Sequence, residues 1–145
     1  MNYQHILVAI DSTATAHQLL DHIKGIATAL HSKITVAQVL KLDPITAREY
    51  VQTGESNLFI DRSREEILAT LSEIQSHYAT SELPIEILLL EGFSIADTIT
   101  QAATDLNADL MVIGSHGYTG LSKLILGSIS QKVLNKTALP VLIVH

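Results

Sequence analysis

Short apolar segments recur along the chain and alternate with stretches whose apolar residues follow helical spacing. Each apolar segment spans four to seven residues and is bounded by polar or turn-forming residues. Such a segment is typical of a strand that is buried on both faces. The five predicted strands are residues 6–10, 34–40, 85–90, 110–113 and Val141–Val144.

The stretches between the strands predict amphipathic helices. In the first, Ala16, Leu19, Leu20, Ile23, Ile26, Ala27 and Leu30 follow the spacing of one helical face. Similar patterns predict helices over residues 60–78, 95–106 and 126–134. This alternation requires right-handed crossovers between parallel strands, with helices on both faces of the sheet. We therefore predict a doubly wound, five-stranded parallel α/β fold, and the length of 145 residues predicts a single domain over residues 1–145.

One connection is longer than the others. Residues 41–57 contain Pro44 and Gly54, which argue against a continuous helix. Long connections of this kind in compact domains are often functional. We interpret this one as a lid over a ligand.

Composition and charge exclude several classes of protein. Nine basic and fifteen acidic residues give a net charge of −6, with the basic residues scattered, which disfavours nucleic-acid binding. The chain has no cysteine, so disulfides, thiolate catalysis and cysteine-ligated zinc are excluded. The first apolar segment is interrupted by Asp11, so we expect no signal peptide, no membrane span and a cytoplasmic location.

A glycine-rich segment, GSHGYTGLSKLILGSIS, follows the fourth predicted strand. In open α/β sheets, ligands bind at the carboxyl ends of the strands. Gly114 and Gly117 would let backbone N–H groups converge on a phosphate, near a helix that begins around Gly127, and the hydroxyls of Ser128 and Ser130 could donate to it. Alternatively, the glycines only form a tight turn and Ser128 only caps the helix. Local composition does not decide between the two.

Other nucleotide-binding motifs are absent from the sequence. There is no Gly-x4-Gly-Lys-Ser/Thr loop, and no Gly-x-Gly-x2-Gly follows the first strand. An ATP pyrophosphatase would carry a Ser-Gly-Gly-type loop where this chain has Ala9-Ile10-Asp11-Ser12-Thr13. P-loop, standard dinucleotide-binding and adenylyl-transfer functions are therefore disfavoured.

The spacing Gly114-x2-Gly117-x9-Gly127-Ser128 resembles the nucleotide-binding motif of ATP-binding universal stress proteins. The segments HILVAIDS, ADLMVIGSHG, GLSKLILGSISQKVL and LPVLIV resemble the same family, so the resemblance covers essentially the whole chain. It implies an adenine nucleotide alpha hydrolase-like (Rossmann-like) fold with strand order 3-2-1-4-5. The first and fourth strands would then be neighbours, with Asp11 facing Gly114.

The resemblance also implies a set of binding residues. Asp11 and Val39 would contact the adenine and ribose. The alternatives are that Asp11 caps the first helix and that Val39 packs in the strand core. Tyr118 and Thr119 stand where many relatives carry a basic residue and a small one, and Lys123 or Arg48 could replace that charge. The implied site comprises Ala9, Ile10, Asp11, Val39, Gly114, Ser115, His116, Gly117, Gly127, Ser128, Ile129 and Ser130.

Histidines offer little further chemistry. His116 could act as an acid or base, but a histidine in this position is more often an ordinary surface residue. His17 and His22 are five positions apart on the first helix and so lie on different faces, which disfavours metal chelation. We expect no metal site beyond any magnesium that accompanies a nucleotide.

The last predicted strand, Val141–Val144, would lie at an edge of the sheet. The resemblance implies that it pairs across a two-fold axis to form a homodimer. Alternatively, the twist of the sheet shields this edge.

Three functions are consistent with these features. The first is an ATP-, ADP- or AMP-binding regulatory protein of the stress response that acts on an unidentified protein partner. The second is a slow ATPase or phosphotransferase, for which Ser115, His116 and Asp11 are the only candidate catalytic groups. The third is an interaction module without a nucleotide, which the intact glycine motif disfavours.

Overall fold

Strands and helices alternate along the chain, as the hydrophobic pattern predicts. The structure, a computed structural model, describes residues 3–44, 58–115 and 126–145. Every predicted strand and helix is confirmed, with ends shifted by a few residues. The elements are β1 (His5–Ile10), α1 (Thr13–Ala29), β2 (Lys33–Lys41), α2 (Leu58–Tyr78), β3 (Ile85–Gly92), α3 (Ile95–Asp105), β4 (Leu110–Gly114), α4 (Ser128–Lys136) and β5 (Val141–Val144).

The strands form one parallel sheet with the order β3-β2-β1-β4-β5. This confirms the strand order that the family resemblance implies. β1 lies at the centre, where it pairs with β2 on one side and β4 on the other. The order along the sheet therefore reverses between β1 and β4.

Two hydrophobic clusters cover the two faces of the sheet. Ile6 and Val8 of β1 point to the face covered by α1 and α2, where they pack near Leu20. Leu7 points to the opposite face, which α3 and α4 cover, and packs near Met111. Because both faces are buried, the strands are apolar throughout rather than alternating.

Two helices begin with cap residues other than those that the sequence offered as alternatives. The N-cap of α1 is Ser12, whose side-chain oxygen accepts a hydrogen bond from the Thr15 N–H at 3.1 Å. The interpretation of Asp11 as the cap is therefore wrong. The N-cap of α4 is Gly127, without a side-chain cap, and Ser128 is the first helical residue. The interpretation of Ser128 as a cap is also wrong, because the helix begins one residue earlier than that role requires.

The predicted lid falls mostly outside the described residues. Lys41 belongs to β2, and α2 begins at Leu58. Residues 45–57 are not described, so the lid stays a prediction. None of the helices in the described part of the chain combines the length and the apolar character needed to cross a bilayer.

Candidate functional site

A cleft opens between β1 and β4 at the carboxyl end of the sheet. The pairing of these two strands ends at Val8 and Val112. β1 continues beside β2 to Ile10, and β4 continues beside β5 to Gly114. The chain then leaves β1 toward α1 on one face and β4 toward α4 on the other. Parallel sheets bind ligands at such a switch point, so this cleft is the candidate site.

The described walls of the cleft are mainly apolar, with a few polar groups at the strand ends. Such a composition is typical of small-molecule sites, where apolar walls give affinity and a few polar groups fix orientation. The residues come from β1 and the turn after it, the first turn of α1, α3, β4 and α4. They are Ala9, Ile10, Asp11, Thr15, Ile95, Ile99, Ile113, Gly114, Ile129, Ser130 and Val133.

Asp11 is held at the cleft through both its side chain and its backbone. The Thr15 hydroxyl donates a hydrogen bond to Asp11 Oδ1 at 2.5 Å. The Gln38 side-chain amide donates to the Asp11 backbone carbonyl at 3.4 Å, which is a long and weak bond. The carboxylate is thus bound by Thr15, one helical turn along α1.

The two ends of the glycine-rich segment are joined at its base. The Gly127 N–H donates to the Ser115 carbonyl at 2.7 Å, and the Ser115 N–H donates to the Val144 carbonyl of β5 at 2.9 Å. The Ser130 hydroxyl donates to the Gly114 carbonyl at 2.7 Å. The start of α4 is therefore tied to the end of β4. The Ser130 proton is donated to the protein itself, whereas the sequence predicted donation to a phosphate.

The structure brings together half of the residues that the family resemblance implies. Ser115 is buried beside β5, and Val39 packs into the core cluster under α3 and α4. Gly127 and Ser128 lie outside the described walls, and Ser128 is exposed. His116, Gly117, Tyr118, Thr119, Lys123 and Arg48 lie outside the described residues. The residues that line the cleft are Ala9, Ile10, Asp11, Gly114, Ile129 and Ser130.

Several cleft residues were not predicted from the sequence. Thr15 lies one turn after Asp11 and could have been found from that spacing. Ile95 begins α3, three residues after the carboxyl end of β3, and so lies at the edge of the sheet at which ligands bind. Ile99, Ile113 and Val133 carry no such signal, because their pattern is that of ordinary core residues.

Metal-binding side chains do not cluster in the described part of the chain. No group of three or more histidine and carboxylate side chains there could hold a metal ion. The His17 ring lies against α2, with Nδ1 2.7 Å from the Tyr78 hydroxyl, whereas His22 is exposed. The two histidines do not converge.

Comparison with known proteins places this fold and cleft in a family. The model of the universal stress protein family matches residues 2–145. The chain belongs to the universal stress protein family. The match spans all five strands of the sheet and the sequence of the glycine-rich segment.

Similar proteins cover almost the full length of the chain. Universal stress protein MJ0577 of Methanocaldococcus jannaschii is 28% identical over 153 residues, which cover 98% of this chain and 94% of that protein. Universal stress protein A homolog 1 of Coxiella burnetii is 29% identical over 150 residues, covering 99% and 97%.

Solved structures share the fold. The structure of MJ0577 superposes with a TM-score of 0.83 at 25% identity, covering 99% of this chain and 96% of that one. A universal stress protein solved in complex with cAMP superposes with a TM-score of 0.68, also at 25% identity, covering 100% and 98%. A protein of similar fold thus binds an adenine nucleotide.

Proposed function

We propose that this chain binds an adenine nucleotide in the cleft between β1 and β4 and acts as a regulatory protein of the stress response. The observation that carries the proposal is the cleft itself, which lies at the switch point of the sheet and is lined by both Asp11 and Gly114. The relative solved with cAMP supports an adenine nucleotide as the ligand. ATP, ADP and AMP are the proposed ligands.

The apolar part of the cleft suits the base. Ile95 and Ile99 of α3 and Ile129 of α4 present aliphatic side chains to it. β2 extends beyond the end of its pairing with β1, so the backbone around Val39 lies near the same edge of the sheet. Polar edges of the base would be bound by backbone groups there, while the aliphatic walls contribute hydrophobic contact.

The phosphates would lie along the glycine-rich segment. The first N–H groups of α4 have no partner within the helix, and a helix N-terminus favours an anion. Gly127 caps α4 without a side chain, so its cap does not compete for these donors. None of the residues that line the described part of the cleft is lysine or arginine. We propose that magnesium bound to the nucleotide offsets part of the phosphate charge.

The regulatory unit is proposed to be a homodimer joined through β5. In the described sheet β5 pairs only with β4, and Val141, Leu142 and Ile143 are half-buried rather than buried. An apolar edge strand of this kind is stabilised when a second copy pairs with it across a two-fold axis. Nucleotide binding near Ser115, whose N–H bonds to Val144, would then act close to the dimer contact.

Calorimetry with nucleotide-free protein tests the proposal. We expect Mg·ATP to bind at about one per chain with micromolar affinity, a free energy of about 8 kcal/mol. Ile95→Glu, which places a carboxylate in the cleft wall, should weaken binding at least about tenfold. Ile26→Glu is the matched control, because Ile26 is 49% exposed on α1 and does not line the cleft. Absence of binding by the wild type at roughly millimolar ATP, confirmed by equilibrium dialysis, would contradict the proposal.

A further inference from the structure

β3 forms the edge of the sheet opposite β5, and half of its backbone groups face away from its neighbour β2. In the described sheet β3 pairs only with β2. The carbonyl of Pro84, just before β3, accepts a hydrogen bond from Ile34 of β2. Because the backbone groups of successive residues point to opposite edges of a strand, the N–H and C=O groups of Ile87, Leu89 and Glu91 point outward.

A side-chain amide already occupies the beginning of this outer edge. The Gln75 amide of α2 donates a hydrogen bond to the Ile85 carbonyl at 2.8 Å. This bond joins an amide N–H to a backbone carbonyl, as a bond between two strands does. Gln75 therefore closes the amino end of the edge. Farther along β3, the outward groups lie where the backbone of another strand could bond to them.

An exposed leucine lies on the α2 side of this edge. Arg64, Leu68 and Gln75 lie on one stripe of α2, because steps of four and seven residues return to the same helical face. Arg64 bonds to Glu91 near one end of β3, and Gln75 bonds to Ile85 at the other. Leu68 therefore lies between these contacts, beside the strand, and it is 43% exposed. An apolar side chain of an added strand would pack against it.

The α3 side of the same edge is a groove that carries negative charge. Glu91, Asp97 and Asp105 line it, together with apolar and neutral polar residues of β3 and α3. None of the residues that line this described groove is lysine or arginine. Arg64 and Lys136 pair with two of these carboxylates, whereas the third, on Asp105, accepts a hydrogen bond from a neutral amide. The groove therefore attracts cationic side chains, in keeping with the net charge of −6.

The two sides of the edge together specify the kind of strand that fits it. Successive side chains of a strand point to opposite faces of the sheet, so a strand added to β3 would present its residues alternately to α2 and to α3. Apolar residues suit the α2 side, and basic residues suit the α3 side. A second copy of this chain would bring the same carboxylates to the edge and be repelled.

We propose that the open edge of β3 binds an extended segment of another protein by strand addition. The segment alternates apolar residues, which pack on Leu68, with lysine or arginine residues, which approach Asp105 and the other carboxylates of the groove. This surface shares no lining residue with the cleft between β1 and β4. The proposal therefore goes beyond nucleotide binding and does not rest on it.

Fluorescence anisotropy with labelled peptides tests the proposal. The probe is a peptide of alternating valine and lysine with eight residues, the length of β3, and a peptide of alternating valine and glutamate is its control. Wild-type protein should bind the lysine peptide saturably and at least about tenfold more tightly than the glutamate peptide. Two further lysine peptides are N-methylated, one at every valine and the other at every lysine. Since alternate amides of a strand point to opposite edges, one of them should lose binding and the other should retain it.

Variants of the chain locate the bound peptide. Asp105→Lys should weaken binding of the lysine peptide about tenfold more than Glu73→Lys, the matched control, because Glu73 is exposed on α2 outside the groove and the net charge changes equally. Leu68→Ser should weaken binding about fivefold, whereas Ile26→Ser, at a side chain 49% exposed on α1, should not. Leu89→Pro removes an outward N–H at an edge position where proline is tolerated, and should abolish binding.

Each other outcome overturns the proposal. Absence of saturable binding of the lysine peptide to the wild type would refute the site, and equal binding of the glutamate peptide would refute its preference for basic residues. Equal binding of the two N-methylated peptides would exclude strand addition on the unaltered protein, even if Leu89→Pro failed to fold. Equal effects of Asp105→Lys and Glu73→Lys would reduce the preference to net charge. A change in oligomeric state caused by Leu89→Pro, measured by analytical ultracentrifugation, would assign the edge to a second copy of the chain.

Discussion

Replacing Ser130 by alanine removes the hydroxyl that joins α4 to the end of β4. The hydroxyl donates to the Gly114 carbonyl at 2.7 Å, and Ser130 is only 6% exposed. The lost bond costs about 0.5–1.5 kcal/mol, and a buried carbonyl left without a donor costs about 1–3 kcal/mol. Because Gly114 borders the cleft, water can partly replace the donor, and we expect Ser130→Ala to lower the free energy of unfolding by about 1–2 kcal/mol.

Urea denaturation of Ser130→Ala and Ser128→Ala measures this effect. Ser128 lies in the same turn but is exposed and makes no cap, so Ser128→Ala should change stability by less than about 0.5 kcal/mol. The melting temperature of Ser130→Ala should fall by about 3–8 °C. Equal stability of the two variants would refute the structural role of Ser130. If Ser130→Ala kept full stability but bound ATP more weakly, the original prediction of a hydroxyl that donates to phosphate would be supported instead.

Further predictions concern β5 and the contact between α1 and α2. The Pro140 carbonyl accepts a hydrogen bond from Met111 of β4, and the Val144 carbonyl accepts one from Ser115, just after β4, so by alternation the Ile143 N–H points to the open edge of the sheet. Ile143→Pro should therefore give a folded monomer in analytical ultracentrifugation, and a folded dimer would contradict pairing through β5. Tyr78 donates to Asp21 at 2.9 Å, so Tyr78→Phe should lower the free energy of unfolding near neutral pH. This hydrogen bond holds the pKa of Asp21 below its ordinary value. Its contribution to the free energy of unfolding is therefore complete at a pH above the ordinary pKa of an aspartate, and should be lost as the pH falls through the lowered pKa. Burial and the Asp21 carboxylate raise the pKa of Tyr78 to about 12, so the contribution of the hydrogen bond to stability should also be lost as the pH rises toward that value. In denaturation experiments, a stability difference between wild type and Tyr78→Phe that does not change with pH would refute both the acidic and the basic loss.

The sequence by itself determined the elements and their arrangement. Apolar segments with helical stretches between them predicted the five strands and the four long helices of the described residues, because a parallel sheet covered on both faces requires continuous apolar strands. The glycine spacing and the flanking segments pointed to a family, and the strand order that the family implies is the observed one. That order also predicted that Asp11 and Gly114 lie at one site, and both line the cleft.

Only the tertiary structure decided how individual side chains are used. Asp11 and Ser12 are both good cap residues, and which of them caps α1 depends on where packing starts the helix. Ile113 and Val133 have the apolar pattern of core residues, and a pattern along the chain does not distinguish a core contact from a cleft wall. Ser130 could donate to a ligand or to the protein, and the approach of α4 to β4 places the Gly114 carbonyl within its reach. These outcomes depend on distances between residues far apart in the chain, which local sequence preferences do not encode.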